Sequence, residues 1–139
     1  MAEIIIILAL GIGVITFISS RTYYSSKHPL LDRIRESFTM IDPKYGKIPM
    51  QIGGSAYTEN KEVITLCLKD PITGKYYDYN TLMYVSLHEL GHVITPPKYE
   101  EHGEEFKKNF SKLLSIAAAK GIYNPKKAIP AMYCGVGTA

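Results

Sequence analysis

Residues 87–106 read LHELGHVITPPKYEEHGEEF and place three histidines and five glutamates within twenty residues. His88 and His92 are four residues apart, so on a helix they lie on one face, one turn apart. That spacing brings two imidazole nitrogens toward one ion, and zinc–nitrogen distances in proteins are about 2.0–2.1 Å. Glu89 lies beside that face, where it can act as a general base toward a water activated by the metal. The stretch therefore predicts a zinc site on a helix.

A zinc site of this kind needs a third protein ligand, because catalytic zinc usually takes three and leaves one position open. His102 follows His92 by ten residues, beyond the Pro96–Pro97 pair that lets the chain turn back. We therefore expect His88, His92 and His102 to bind zinc. Carboxylates near the next helix are competing ligands, and these are Glu100, Glu101, Glu104 and Glu105.

Apolar spacing supports a helix around the motif and a second helix after it. Asn80 or Thr81 can cap the first helix. Its buried stripe, at spacings of four, three and four, consists of Met83, Leu87, Leu90 and Ile94. The second helix covers residues 104–120, with an inner face made of Phe106, Phe110, Leu113, Leu114 and Ala117. A salt-bridged helix end with incidental histidines is the alternative, but it does not explain histidines beside a buried stripe.

The remaining segments predict an α+β domain. A helical period is present in residues 30–41, and β-prone runs follow in residues 47–54 and 55–70. Within the latter run, a turn separates two strands, of which residues 63–68 form the stronger. The tail after residue 121 is expected to be irregular. The predicted order is one helix, short antiparallel strands and two further helices.

The N-terminus predicts a membrane anchor. Residues 4–18 are an unbroken apolar run, and basic residues follow it rather than precede it. This pattern favours a transmembrane helix with the C-terminal domain on the cytoplasmic side. A buried core helix or a cleaved signal peptide is the alternative. The predicted organisation is a transmembrane anchor in residues 1–20, a juxtamembrane linker in residues 21–29 and the folded domain in residues 30–139.

Composition limits the classes of partner and compartment. The chain has 139 residues, 46% of them hydrophobic, which suits one domain with a packed core. The net charge is +3 with scattered basic residues, so nucleic-acid binding is not indicated. Cys67 and Cys134 form no CxxC pair and suit a reducing compartment, although a long-range disulfide is compatible with the sequence. Cys134 is either a fourth zinc ligand, a buried apolar group or the partner of Cys67.

The motifs HELGH and HGEEF resemble those of zincin metallopeptidases of the SprT-like and WLM kinds. The wider pattern NTLMYVSLHELGHV…HGEEFKKNF…YCG is similar to small metallopeptidase-like proteins encoded by large DNA viruses of eukaryotes, over roughly residues 63–135. The resemblance implies a zincin-like domain with His88, His92 and His102 as ligands and Glu89 as the base. It also implies that residues 63–68 form an edge strand along which an extended substrate binds.

Together these features predict a membrane-anchored zinc metallopeptidase that hydrolyses peptide bonds of a peptide or protein substrate. Tyr123 and Tyr133 are candidates for stabilising the tetrahedral intermediate. The alternative is a structural tether between a membrane, such as a virion inner membrane, and coat or capsid proteins. In that case zinc would stabilise a catalytically silent domain.

Overall fold

The computed structural model describes residues 25–138, in which three helices pack with a three-stranded sheet and a small C-terminal hairpin. Helix α1 is Pro29–Ile41. Its start is fixed by Pro29 at the first helical position and by the His28 ring, whose Nδ1 accepts a hydrogen bond from Leu30 N–H at 3.1 Å. Fully buried side chains of its inner face are Leu31, Ile34 and Phe38. The helix predicted in residues 30–41 is therefore present.

The sheet has the order β1-β3-β2, with β1 at Met50–Ile52, β2 at Tyr57–Glu59 and β3 at Val63–Leu66. Strand β1 pairs with β3 in parallel, whereas β2 and β3 form an antiparallel hairpin. All four residues of β3 are buried, which is typical of a strand covered on both faces. The prediction that residues 63–68 form an edge strand is therefore wrong, as is the all-antiparallel sheet. The edge beside α2 is β2.

The two helices predicted around the histidines are α2, Tyr79–Ile94, and α3, Glu104–Ala119. The cap of helix α2 lies two or three residues earlier than the predicted Asn80 or Thr81, because the Asp78 carboxylate accepts a hydrogen bond from Thr81 N–H. The expected stripe is buried at Met83, Leu87 and Leu90 and partly buried at Ile94. On α3 the buried side chains are Phe106, Leu113 and Ala117. One apolar core joins α1, the sheet, α2 and α3.

The C-terminal tail forms a hairpin of β4, Met132–Tyr133, and β5, Val136–Gly137, so the prediction of an irregular tail is wrong. Its turn residues Cys134 and Gly135 both have positive φ, +47° and +81°. Cys134 is disulfide-bonded to Cys67, immediately after β3, with the two Cα atoms 6.5 Å apart. Both cysteines are therefore paired, in the long-range disulfide with which the sequence was compatible. The pairing also rules out the Cys134 thiolate as a zinc ligand.

The membrane part of the predicted fold class is wrong for the described chain. None of the helices in residues 25–138 combines the length and the hydrophobicity that a membrane span requires. The longest helices have 16 residues each, whereas a span needs about 20 apolar residues. Residues 1–20, where the transmembrane anchor was predicted, lie outside the described residues. The α+β part of the predicted fold class stands, and its transmembrane part is the correction. The same finding contradicts the predicted single-pass localisation, on the cytoplasmic side or in a virion inner membrane.

Candidate metal centre

Three histidines converge at one point beside α2. Nε2 of His92 lies 3.3 Å from Nε2 of His88 and 3.1 Å from Nε2 of His102, and the third side of the triangle is 3.3 Å. Helix α2 supplies the first two from adjacent turns of one face, and the loop before α3 supplies His102. No described carboxylate belongs to this cluster. The structure thus brings the three predicted ligands together and leaves the competing glutamates out.

Hydrogen bonds among the imidazoles cannot account for this triangle. A neutral imidazole nitrogen either donates or accepts. In any triangle of such atoms, at least one contact must then join two donors or two acceptors. A cation at the centre instead receives a lone pair from each nitrogen. A tetrahedral ion about 2.0–2.1 Å from each nitrogen would place them about 3.3–3.4 Å apart, close to the observed separations. The donor set and its spacing fit zinc.

The protonation of the histidines suits a metal site. Burial, together with smaller contributions from the neighbouring His92 and His102 rings, lowers the pKa of His88 to about 4. Burial also lowers the pKa of His92 to about 4, with added contributions from His102 and Lys61. Both rings are therefore neutral near pH 7, which is the form of imidazole that binds metals.

Phe106, at the start of α3, holds the three imidazoles in place. Its ring stacks on His92 with centroids 4.4 Å apart, and it meets His88 and His102 edge-on at 5.0 and 5.1 Å. Gly91 makes this approach possible, since a Cβ there would lie 2.9 Å from Cε2 of Phe106.

Glu89 lies next to the histidines and is only 5% exposed. Its Oε2 accepts a hydrogen bond of 2.7 Å from the hydroxyl of Thr58 on β2. Burial raises the pKa of Glu89, and the hydrogen bond from Thr58 opposes that rise. Every buried side-chain oxygen in the described residues has a hydrogen-bond partner. Among the described residues Glu89 Oε1 accepts no hydrogen bond, and Glu89 lines the cleft described below, so this oxygen can accept a proton there.

Thr58 and Lys61 are functional-site residues that the sequence analysis missed. Lys61 lies in the tight β2–β3 turn, where its own φ of +57° and the +49° of Asn60 reverse the chain. Its ammonium donates to the His92 carbonyl at 2.7 Å. This contact fixes the hairpin, and with it β2, against the C-terminal half of α2. The predicted turn was the only sequence signal near either residue, and it did not connect them to α2.

The site opens into a cleft of about 650 Å³, within the size range of ligand sites. Edge strand β2 and its turn form one side, and the loop after α2 contributes Pro97 and Glu101. His88, Glu89, His92 and His102 all line it. Strand β2 is the edge of the sheet that borders this cleft.

The two candidate tyrosines are not aimed at the cluster. The Tyr133 hydroxyl accepts a hydrogen bond of 2.9 Å from Cys67 N–H and donates to the Cys67 carbonyl. Burial raises the pKa of Tyr133. Tyr123 is buried, with its ring 6.2 Å from that of Tyr84, and does not line the cleft. Neither hydroxyl is placed to stabilise an intermediate at the histidines.

Known proteins similar to this chain are viral. An uncharacterized protein of Invertebrate iridescent virus 6 is 39% identical over 90 residues, which cover 63% of this chain and 49% of that protein. An uncharacterized protein of Invertebrate iridescent virus 3 is 42% identical over 81 residues, 58% of this chain and 50% of that protein. One from Acanthamoeba polyphaga mimivirus is 42% identical over 85 residues, 59% of this chain and 42% of that protein.

The matched region therefore spans about half the length of these viral relatives. No family model matches the chain. No solved structure matches it either.

Proposed function

We propose that this chain is a zinc-dependent metallopeptidase-like hydrolase of the zincin kind. His88, His92 and His102 would hold the zinc ion, and Glu89 would be the general base. The observation that carries the proposal is the triangle of three Nε2 atoms, 3.1–3.3 Å apart, beside a buried glutamate in an open cleft. Histidine ligands with an open side are typical of catalytic rather than structural zinc.

The bound zinc would supply Lewis acidity, which polarises a carbonyl and makes water acidic enough to attack near neutral pH. The chain's own residues supply the rest. Thr58 fixes one oxygen of Glu89 and leaves the other, Oε1, to take the proton from the attacking water. The burial that raises the pKa of Glu89 makes its carboxylate a better proton acceptor.

Strand β2 is positioned to hold the substrate. Among the described residues its backbone pairs with β3 alone, and its residues Tyr57 and Thr58 line the cleft. An extended peptide can add to such an edge through main-chain hydrogen bonds. The Lys61 contact to the His92 carbonyl keeps this edge in register with the histidines. A peptide or protein is therefore the substrate class that the cleft suits.

Hydrolysis of a quenched fluorescent peptide library by the full chain, loaded with one equivalent of zinc, tests this proposal. Glu89→Gln should retain zinc and lose activity by about 10²–10⁴-fold, the usual contribution of a general base. Glu104→Gln is the matched control, because that side chain is 97% exposed and lies outside the cleft. Zinc-loaded wild type without any peptidase activity above the Glu89→Gln level would contradict the proposal.

A second candidate is a zinc-stabilised structural domain that binds another protein, such as a viral coat or capsid protein. The contacts of Phe106 with all three imidazoles favour it, because zinc would then lock the start of α3 onto α2. In this case removal of zinc would lower the unfolding temperature, and Glu89→Gln would change nothing. Peptide hydrolysis that depends on Glu89 separates the two candidates.

A further inference from the structure

A second cleft of about 480 Å³ lies beside the histidines, and no residue of the β2–β3 turn lines it. Ala56, His88, Glu89 and His102 line both clefts, so the two adjoin at the candidate metal centre. A chain bound across the histidines along β2 would therefore carry a side chain into this second space. It is the part of the groove that the proposed chemistry does not use.

The walls of the second cleft are largely apolar and aromatic. Helix α2 contributes one wall, the first half of α3 another, and the C-terminal hairpin the third. The apolar and aromatic side chains that line it are Tyr84, Val85, Phe106, Phe110, Tyr133 and Val136. Two of them support each other directly, since the Tyr84 and Phe110 rings meet edge-on at 5.3 Å. Such a surface favours a large apolar group over a charged one.

The hairpin wall is fastened in advance of binding. The disulfide joins its turn residue, Cys134, to Cys67 at the end of the central strand. Tyr133 bonds through its hydroxyl to both backbone groups of Cys67, and Cys134 N–H donates to the Tyr77 hydroxyl at 2.9 Å. The Tyr77 and Tyr133 rings also pack 4.9 Å apart. A wall that is already ordered loses little conformational entropy when a ligand binds.

We propose that the second cleft is a specificity pocket for a large apolar side chain of the peptide substrate. In this account, the disulfide-fastened hairpin is the specificity-determining wall, and Val136 is its apolar contact. The inference rests on the proposed function, since the peptide is placed by the cleft at the histidines. It adds the substrate class: peptides with an aromatic or large aliphatic residue beside the bond that is cut.

Two blocked pentapeptides that differ only in the central residue, phenylalanine or serine among glycines, provide the test. Their binding to the full-length, zinc-loaded Glu89→Gln chain is measured by NMR chemical-shift titration, so cleavage does not interfere. The phenylalanine peptide should bind about tenfold more tightly, because burying a large apolar side chain is favourable by at least that factor.

Val136→Asp should bring the ratio of the two dissociation constants close to one. Met132→Asp should leave it unchanged, because Met132 belongs to the same hairpin and is equally exposed, 56% against 59%, but does not line the cleft. Both are surface substitutions, so folding is retained. Equal affinity of the Glu89→Gln chain for the two peptides would overturn the proposal, as would a tenfold preference that survives Val136→Asp in that chain.

Failure of the proposed function would appear elsewhere in the same experiments. A chain that binds no zinc but still prefers the phenylalanine peptide would support the proposed apolar pocket and contradict the proposed metallopeptidase function. A chain that binds zinc and cleaves both peptides equally well would support the proposed metallopeptidase function and contradict the proposed specificity pocket.

Discussion

Nε2 of His92 lies 3.1 Å from Nε2 of His102, although the break between two helices separates them in sequence. Helix α2 alone brings together only His88 and His92. Nε2 of His102 lies beside them because the chain turns after α2 and because Phe106 packs against the rings of both His92 and His102. The candidate metal centre is therefore a property of the α2–α3 junction, and substitutions at that junction should affect it.

Gly91→Ala should destabilise the domain by about 1–2 kcal/mol. Alanine is the better helix former, by about 0.5–1 kcal/mol. However, its Cβ would lie 2.9 Å from the Phe106 ring, and overpacking of this kind costs about 1–3 kcal/mol. Urea unfolding of the zinc-free chain measures the change. Zinc affinity should fall as well, because Phe106 must move away from the imidazoles.

Gly54→Ala is the control for that substitution. A Cβ at Gly54 would have no atom within 4 Å, and its φ is not in the left-handed region. Its unfolding free energy should stay within about 0.5 kcal/mol of wild type, as for most surface substitutions. Equal stability of the two alanine variants would contradict the close approach of α3 to α2.

Thr58→Val should move the acid side of the pH–activity profile to higher pH by about one unit or more. The hydrogen bond from Thr58 opposes the rise that burial produces in the pKa of Glu89, so its removal lets that pKa rise further. A hydrogen bond to a charged group is worth about 1.5–3 kcal/mol, and one pKa unit is about 1.4 kcal/mol. Thr58→Ser should restore the profile, and both variants should bind zinc normally. An unchanged pH–activity profile in the Thr58→Val variant would show that Thr58 does not influence the proton acceptor Glu89.

Acid should destabilise the zinc-free domain through His88 and His92. Their pKa values are lowered to about 4 in the fold, against about 6.5 in an unfolded chain. Between these values the unfolded chain binds more protons, so the free energy of unfolding must fall as the pH drops from about 6.5 toward 4. Above about pH 6.5 these two groups contribute no slope. Urea unfolding at pH 7.5, 5.5 and 4.5 tests this expectation.

The double substitution His88→Gln/His92→Gln is the control, because it should flatten the stability profile between pH 6.5 and 4.5. A slope in this range that is the same in wild type and in the double variant would show that other groups cause the acid sensitivity.

Loss of the disulfide, by Cys67→Ser together with Cys134→Ser, should lower the free energy of unfolding by about 4 kcal/mol. This is the chain-entropy expectation for a loop of 67 residues. Zinc stoichiometry should not change, because neither sulfur belongs to the histidine cluster. A thiol assay of unfolded, unreduced wild type should find no free thiol. A double variant that folds but binds no zinc would restore Cys134 as a candidate ligand.

The helices and the His88–His92 pair could be predicted because their signals are local. The apolar stripe of α2 has a helical period, and that period places His88 and His92 on one face. The cap of α2 was predicted less well, because several residues in that segment can cap a helix. Asp78 is the cap, since its carboxylate accepts the hydrogen bond from Thr81 N–H.

The strands were less predictable because pairing depends on contacts distant in sequence. The run of four buried residues in β3 is compatible with either an edge strand or a central strand. Only the parallel pairing of β1 beside β3, which the sequence does not show, makes β3 the central strand. Thr58 acquired its role only because β2 became the edge against Glu89. The Cys67–Cys134 pair likewise joins β3 to a hairpin of two-residue strands, too short to leave a periodic signal.

Zinc stoichiometry of the full chain, measured by elemental mass spectrometry for wild type and His102→Ala, tests the central claim most directly. The claim predicts about one zinc per wild-type chain after dialysis against zinc-free buffer, and loss of that zinc in the variant. The melting temperature of the zinc-free variant should match that of zinc-free wild type. A folded wild-type chain that retains no zinc, or a His102→Ala variant that retains a full equivalent, would contradict the three-histidine site.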